Sequence, residues 1–172
     1  MAGDDTFGGA ELLAELTQDE GREPHGYVDT RGNITVGIGR NLTGSCLSDD
    51  EIMLLYDNDV AAATSALDFS APWWRTLPAN AQRVMVNLTF NMGWAKLAGF
   101  HLFLHAIQAG DWADAAVQLK NSAWWAEVGE RGPRMVQRLL GTSTQSSVQT
   151  IAVEKPSTEG QKSVTGTQDS AT

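Results

Sequence analysis

Three polar residues stand in an order that can do acid–base chemistry: Glu20, then eight residues, Asp29, then five residues, Thr35. Glu20 continues the Leu13 and Leu16 series at helical spacing, which places it on a face that should be apolar. It also falls just before Gly21, at a helix C-terminus, where carbonyl dipoles disfavour negative charge. Partial burial and the dipole both favour the protonated form of a carboxyl, which suits a general acid near neutral pH. Asp29 enters the turn of a hairpin, and Thr35 lies in the strand that follows. Singly, each has an ordinary reading: a solvated Glu ending a helix, a turn Asp before Thr-Arg-Gly-Asn, a strand threonine. Together they form a more specific pattern across a helix-to-hairpin junction.

The elements that must position these residues can be read from periodicity. Residues 9–20 carry Ala10, Leu12, Leu13 and Leu16 at helical spacing. Residues 27–39 alternate with period two around a Gly/Asn turn, which predicts a hairpin or three-stranded meander. Ile34, Val36 and Ile38 share one face; Thr35, Gly37 and Gly39 share the other, whose small residues leave room for something to approach the backbone. Ser48-Asp49-Asp50-Glu51 is a capping box opening a helix to about Leu67. Further helices are expected over 78–92, 100–108, 112–119 and 133–140. Many helices with one small sheet make the class α+β, mostly helical.

The 172 residues suit one domain with a tail, 42% of them hydrophobic, with six Trp and five Phe to fill a core. After Leu140 the composition shifts: no aromatic residue occurs over 143–172, where Ser, Thr, Gln and Gly dominate. Such a stretch buries too little apolar surface to offset its ordering entropy. Residues 1–140 are therefore expected to be the folded domain and 141–172 a disordered tail or linker. No stretch approaches the ~18 apolar residues of a membrane span, and the acidic N-terminus does not read as a secretory signal. Cys46 is the sole cysteine, so no internal disulfide forms. A net charge of −9 argues against nucleic acid and against anionic surfaces as partners. No membrane partner is expected, and the chain is expected to be a monomer.

At this point the sequence resembles a known family, the phage-type lysozymes of glycoside hydrolase family 24. The matching stretches are Asp19-Glu20-Gly21, Tyr27-Val28-Asp29-Thr30 and Thr35-Val36-Gly37-Ile38-Gly39. Others are Tyr56-Asp57-Asn58-Asp59-Val60, Phe90-Asn91-Met92-Gly93, Ala98-Gly99-Phe100, residues 110–116 and Arg131, in order over about residues 10–140. The resemblance implies a lysozyme-like fold, with a small hairpin-bearing N-terminal lobe and a helical C-terminal lobe. The helix over 48–67 would join them, with a cleft between. It implies hydrolysis of the β-1,4 bond between N-acetylmuramic acid and N-acetylglucosamine in bacterial peptidoglycan, without metal or cofactor. Glu20 would protonate the glycosidic oxygen, while Asp29 and Thr35 hold the attacking water, with inversion. Inverting sites keep their carboxyls about 6.5–9.5 Å apart. Arg131 would steady Glu20, with Arg134 a competitor for that role, and Asn91, with Asn87, would support the site. Where many relatives carry His, this chain has Arg40; an Arg40–Asp59 structural ion pair is expected, Asp59 falling on the apolar face of Ile52, Leu55, Tyr56 and Ala63. The setting implied is lysis of a bacterial host, the protein staying in the host cytoplasm until a separate protein permeabilises the membrane. A virion or tail component that opens the wall locally, a lytic transglycosylase, and a binding module without turnover are the alternatives.

Other signals carry less. His101 and His105 have metal-ligand spacing but no third ligand. Gly37-Ile38-Gly39 fails the dinucleotide pattern, because Leu42 stands where it needs a glycine. Asp57-Asn58-Asp59 lacks the glycine and terminal glutamate of a calcium loop. The doublets Trp73-Trp74 and Trp124-Trp125 read first as core, with Trp125 the foremost candidate to line a cleft.

Overall fold

The computed structural model describes residues 9–153, with side chains described over 9–142. It divides into two compact units, Met1–Asn58 and Asp59–Thr172, the boundary falling inside one long helix.

The first unit opens with α1 (Gly9–Glu20), closed by Gly21 at φ +77°, whose N–H donates to Thr17 O at 3.0 Å. Three antiparallel strands follow in the order β1 (Glu23–Val28), β2 (Ile34–Gly37), β3 (Arg40–Asn41). Tyr27 pairs with Thr35 and Val28 with Ile34, while Glu23 pairs with Gly37, so the register slips by a bulge between Glu23 and Tyr27. Thr35 also pairs with Asn41, and Val36 with Arg40. This is the meander that the alternation predicts.

The helix α2 (Asp49–Ser70) begins at the expected capping box. Glu51 N–H donates to Ser48 Oγ at 3.3 Å, and Ser48 N–H donates back to Glu51 Oε2 at 2.7 Å. Two orphan donors of the first turn are thus satisfied reciprocally.

The second unit holds the main core. A 3-10 turn (Pro72–Thr76) leads to α3 (Ala79–Met92), α4 (Trp94–Leu97), α5 (His101–Ala109), α6 (Trp112–Lys120), α7 (Ala123–Glu127) and α8 (Arg131–Val153). Asp111 caps α6, its carboxylate accepting from Asp114 N–H at 2.9 Å. Val84, Met85 and Leu88 of α3, Phe103 and Ile107 of α5, Leu119 of α6, Trp124 of α7, and Met135 and Leu139 of α8 are fully buried together. All six tryptophans belong to this cluster or pack against it, which makes both Trp doublets core side chains.

The last helix departs from expectation. It starts two residues before Pro133 and runs past Leu140 to Val153, into the stretch read as tail. Met135, Leu139 and Thr142 recur at helical spacing and are buried where α8 packs on α3 and α6. The Thr142 hydroxyl donates to Arg138 O at 3.0 Å, so a polar residue is buried at little cost. As far as Thr142, packing on two neighbours carries the helix past the expected break. Residues 154–172, the rest of that expected tail, lie outside the described residues.

Candidate active site

The first unit gathers the three candidate catalytic residues on and around one hairpin. Asp29 closes the β1–β2 connection as turn chemistry dictates. Its N–H donates to Asn33 O at 2.8 Å, and its carbonyl accepts from Gly32 N–H at 3.0 Å. Its carboxylate Oδ1 accepts from the N–H groups of Arg31 and Asn33, both at 2.8 Å, and Oδ2 accepts from Asn33 Nδ2 at 3.0 Å. These donors hold Asp29 below the ordinary carboxylate range, the Asn33 backbone N–H first, then the Asn33 side chain, against a small opposing effect of burial. Asp29 is therefore a fixed anion, oriented by its own loop. The turn reading and the catalytic reading are compatible, because the turn is what aims the carboxylate.

Thr35 sits mid-strand in β2 and is buried at 5% exposure, while its neighbour Ile34 is half exposed. Register places Tyr27, Thr35 and Asn41 side by side on one face, and the Asp29–Asn33 pair continues that face by alternation. Asp29 and Thr35 thus share a sheet face.

Glu20 ends α1 and is exposed, where its place in the leucine series suggested partial burial. Leu12, Leu13 and Leu16 are themselves 42–55% exposed, so that series does not bury its last member. What the structure gives Glu20 is a neighbour: its carboxyl end and Cγ lie against the backbone of Gly39, in the turn between β2 and β3. Within residues 9–58 no N–H or O–H donates to it, in contrast with the three donors on Asp29. A carboxyl at the end of α1 and one at the β1–β2 turn are thus held in different environments.

Where an Arg40–Asp59 pair was expected, Arg40 has partners within the first unit. Arg40 Nη2 donates to Cys46 O at 2.8 Å and to Glu51 Oε2 at 3.3 Å. The capping box already fixes the Glu51 carboxylate at the start of α2, close to β3. Asp59 is exposed, so it needs no buried cation.

In the second unit Asn91 Oδ1 accepts from Trp124 Nε1 at 2.7 Å, which orients a fully buried indole. That indole forms one wall of a hollow of about 330 Å³ whose lining includes Phe100, His101, Phe103, Gln118 and Ser122. Asn87 Oδ1 is buried with no donor to it among the described residues. Arg131 opens α8; within residues 59–142 neither its guanidinium nor that of Arg134 meets a carboxylate. Gly132 lies flat against the Trp125 ring. His101 and His105 are exposed, and the described residues hold no cluster of three or more His, Cys, Asp or Glu that could take a metal.

Sequence reasoning missed the Glu51 partner of Arg40, the part of Asn33 in holding Asp29, and the Glu20–Gly39 contact. For the last, the small-residue face of β2 was the available signal.

One unit with a small three-stranded antiparallel sheet and a second, helical unit make a lysozyme-like α+β protein. Residues 17–140 match the phage lysozyme family, and the chain belongs to it. Among its relatives is "Probable T4-type lysozyme 2" of Dictyostelium discoideum, 27% identical over 150 residues, covering 70% of this chain and 88% of that protein. "Probable T4-type lysozyme 1" of the same organism is 26% identical over 151 residues, with the same coverage. "Pre-baseplate central spike protein Gp5" of Enterobacteria phage T4 is 26% identical over 159 residues; the match spans 76% of this chain but 28% of that longer protein. The chain is accordingly a glycoside hydrolase, a muramidase-type enzyme of peptidoglycan.

Proposed function

We propose that the chain hydrolyses the β-1,4 bond between N-acetylmuramic acid and N-acetylglucosamine, with Glu20 as general acid and inversion at the anomeric carbon. Glu20 delivers its proton to the glycosidic oxygen as the bond lengthens. Asp29, kept anionic by Asn33 and Arg31, takes a proton from the attacking water or stabilises the developing positive charge. Thr35, on the same sheet face, offers its hydroxyl to orient that water. Positioning and proton transfer of this kind need no metal. The resemblance assigns Arg131, with Arg134 a competitor, and Asn91 to the support of this chemistry.

The observation that carries the reading is a contrast between two carboxyls: an aspartate locked as an anion by three donors, and a glutamate with no donor among residues 9–58, seated against Gly39 of the β2–β3 turn. The test is release of soluble fragments from purified peptidoglycan by wild type, Glu20→Gln and Asp29→Asn. Loss of each carboxyl should lower kcat by about 10²–10⁴-fold, the usual contribution of a positioned acid or base. Clearing by Glu20→Gln at the wild-type rate would remove Glu20 from the role. The mass of the fragments separates hydrolysis, which leaves a reducing end, from a transglycosylase, which leaves an anhydro sugar.

For the biological setting we propose host lysis, the enzyme accumulating in the host cytoplasm until the membrane is permeabilised. The resemblance to the phage T4 spike protein favours a second setting, a virion component that opens the wall at the start of infection. Mass spectrometry of purified particles distinguishes them, since a lysis enzyme is absent from the particle.

A further inference from the structure

Glycines close the turns of the hairpin unit, and two of them, Gly37 and Gly39, stand two residues apart with nearly the same left-handed backbone, φ +69° and +67°. Their surroundings differ. A Cβ added at Gly37 meets nothing within 4 Å, whereas one at Gly39 falls 2.8 Å from Glu20 Oε2 and 3.1 Å from Glu20 Cδ and Cγ. All three contacts belong to one side chain, and they include the carboxyl carbon itself. Backbone conformation explains glycine at both positions; only at Gly39 does the missing side chain also make room for another residue.

We propose that Gly39 is a positioning residue: its bare backbone forms the seat of the Glu20 carboxyl, and any side chain there displaces the acid. The inference rests on Glu20 being the general acid. A glutamate tip can swing aside at little cost to the fold, so the damage falls on geometry. Moving from 2.8 Å to an ordinary contact of 3.4 Å or more requires a shift of at least 0.6 Å. Misplacement of a catalytic group by ~1 Å costs on the order of 10²-fold in rate.

The two glycines supply their own control. Gly37→Ala and Gly39→Ala carry the same strain of a left-handed alanine, so their melting temperatures should fall together. Their kinetics on soluble peptidoglycan fragments should part. Gly37→Ala is expected to keep kcat within threefold of wild type, whereas Gly39→Ala loses about 10–100-fold in kcat with KM nearly unchanged. Equal kcat in the two variants overturns the proposal. So does a Gly39→Ala protein that unfolds where Gly37→Ala folds, which would assign Gly39 to stability. If neither alanine variant folds, Gly37→Asn and Gly39→Asn carry the same comparison, because Asn tolerates the left-handed region. Glu20→Gln, measured alongside, isolates the premise: full activity there refutes the acid assignment whatever the glycines do.

Discussion

Asn91 offers a test of what orients the buried Trp124 indole in the second unit. Its Oδ1 is the acceptor for Trp124 Nε1 at 2.7 Å, and Trp124 is 1% exposed. Asn91→Ala leaves a buried indole N–H with no acceptor. An orphaned buried donor costs about 1–3 kcal/mol; the low end applies where water enters the space the amide leaves. For a chain of this size that amounts to a fall in Tm of roughly 2–12 °C. Thermal and urea unfolding followed by near-ultraviolet circular dichroism would read it, with Trp124→Phe and the double variant completing a cycle. Once Trp124 has no N–H to orphan, Asn91→Ala should cost less than about 0.5 kcal/mol, the margin within which uncoupled changes add. A cost as large in the Trp124→Phe background as in the wild type would refute the hydrogen bond as the cause. A stable Asn91→Ala protein that has lost kcat would instead give Asn91 a direct part in the chemistry.

Four further substitutions have outcomes set by the geometry. Gly132→Ala puts a Cβ 2.7–2.8 Å from the Trp125 ring and should destabilise by about 1–3 kcal/mol through overpacking. Gly141→Ala, whose Cβ would meet only Asn80 Nδ2 at 3.6 Å, should stabilise by up to about 1 kcal/mol through helix propensity; shifts of the same sign would contradict the packing described for α8. Asp68 accepts from Arg75 Nε, Arg75 Nη2 and Trp74 Nε1, each at 2.8 Å, which lowers it from 3.8 to about 2, chiefly through Arg75. A depressed carboxyl contributes stability that is present above its unfolded value and lost as pH falls through its folded one. The Tm of wild type should therefore drop between pH 3.8 and about 2 more steeply than that of Asp68→Asn; parallel profiles would deny the contribution. Finally, Asn33→Ala removes the side-chain donor on Asp29 while leaving the backbone donors, so the acid limb of the kcat/KM profile should move up in pH, and an unmoved limb would mean that Asp29 does not set it.

Much of this molecule is legible from local rules. Period two over 27–39 gives the meander, the Ser48–Glu51 box gives the start of α2, and Asp29 before Thr-Arg-Gly-Asn gives the turn that aims its own carboxylate. The failures are non-local. Arg40 finds Glu51 because capping had already fixed that carboxylate near β3, which no periodicity reveals. Helix α8 continues past Leu140 with Thr142 still buried, a contact that composition does not reveal. Glu20 is exposed because the leucine face of α1 is itself half open, and its contact with Gly39 joins residues nineteen positions apart. A glycine marks such a contact only by having no side chain, a weak signal until coordinates show what occupies the space.

The most direct measurement is the configuration of the sugar at the moment of release. Fresh product from a short glycan, followed by proton NMR before the anomers equilibrate, should show the α anomer of N-acetylmuramic acid first, as inversion of a β bond by a water held at Asp29 and Thr35 requires. Early appearance of the β anomer would mean a retained configuration, and a carboxylate acting as nucleophile in place of the held water.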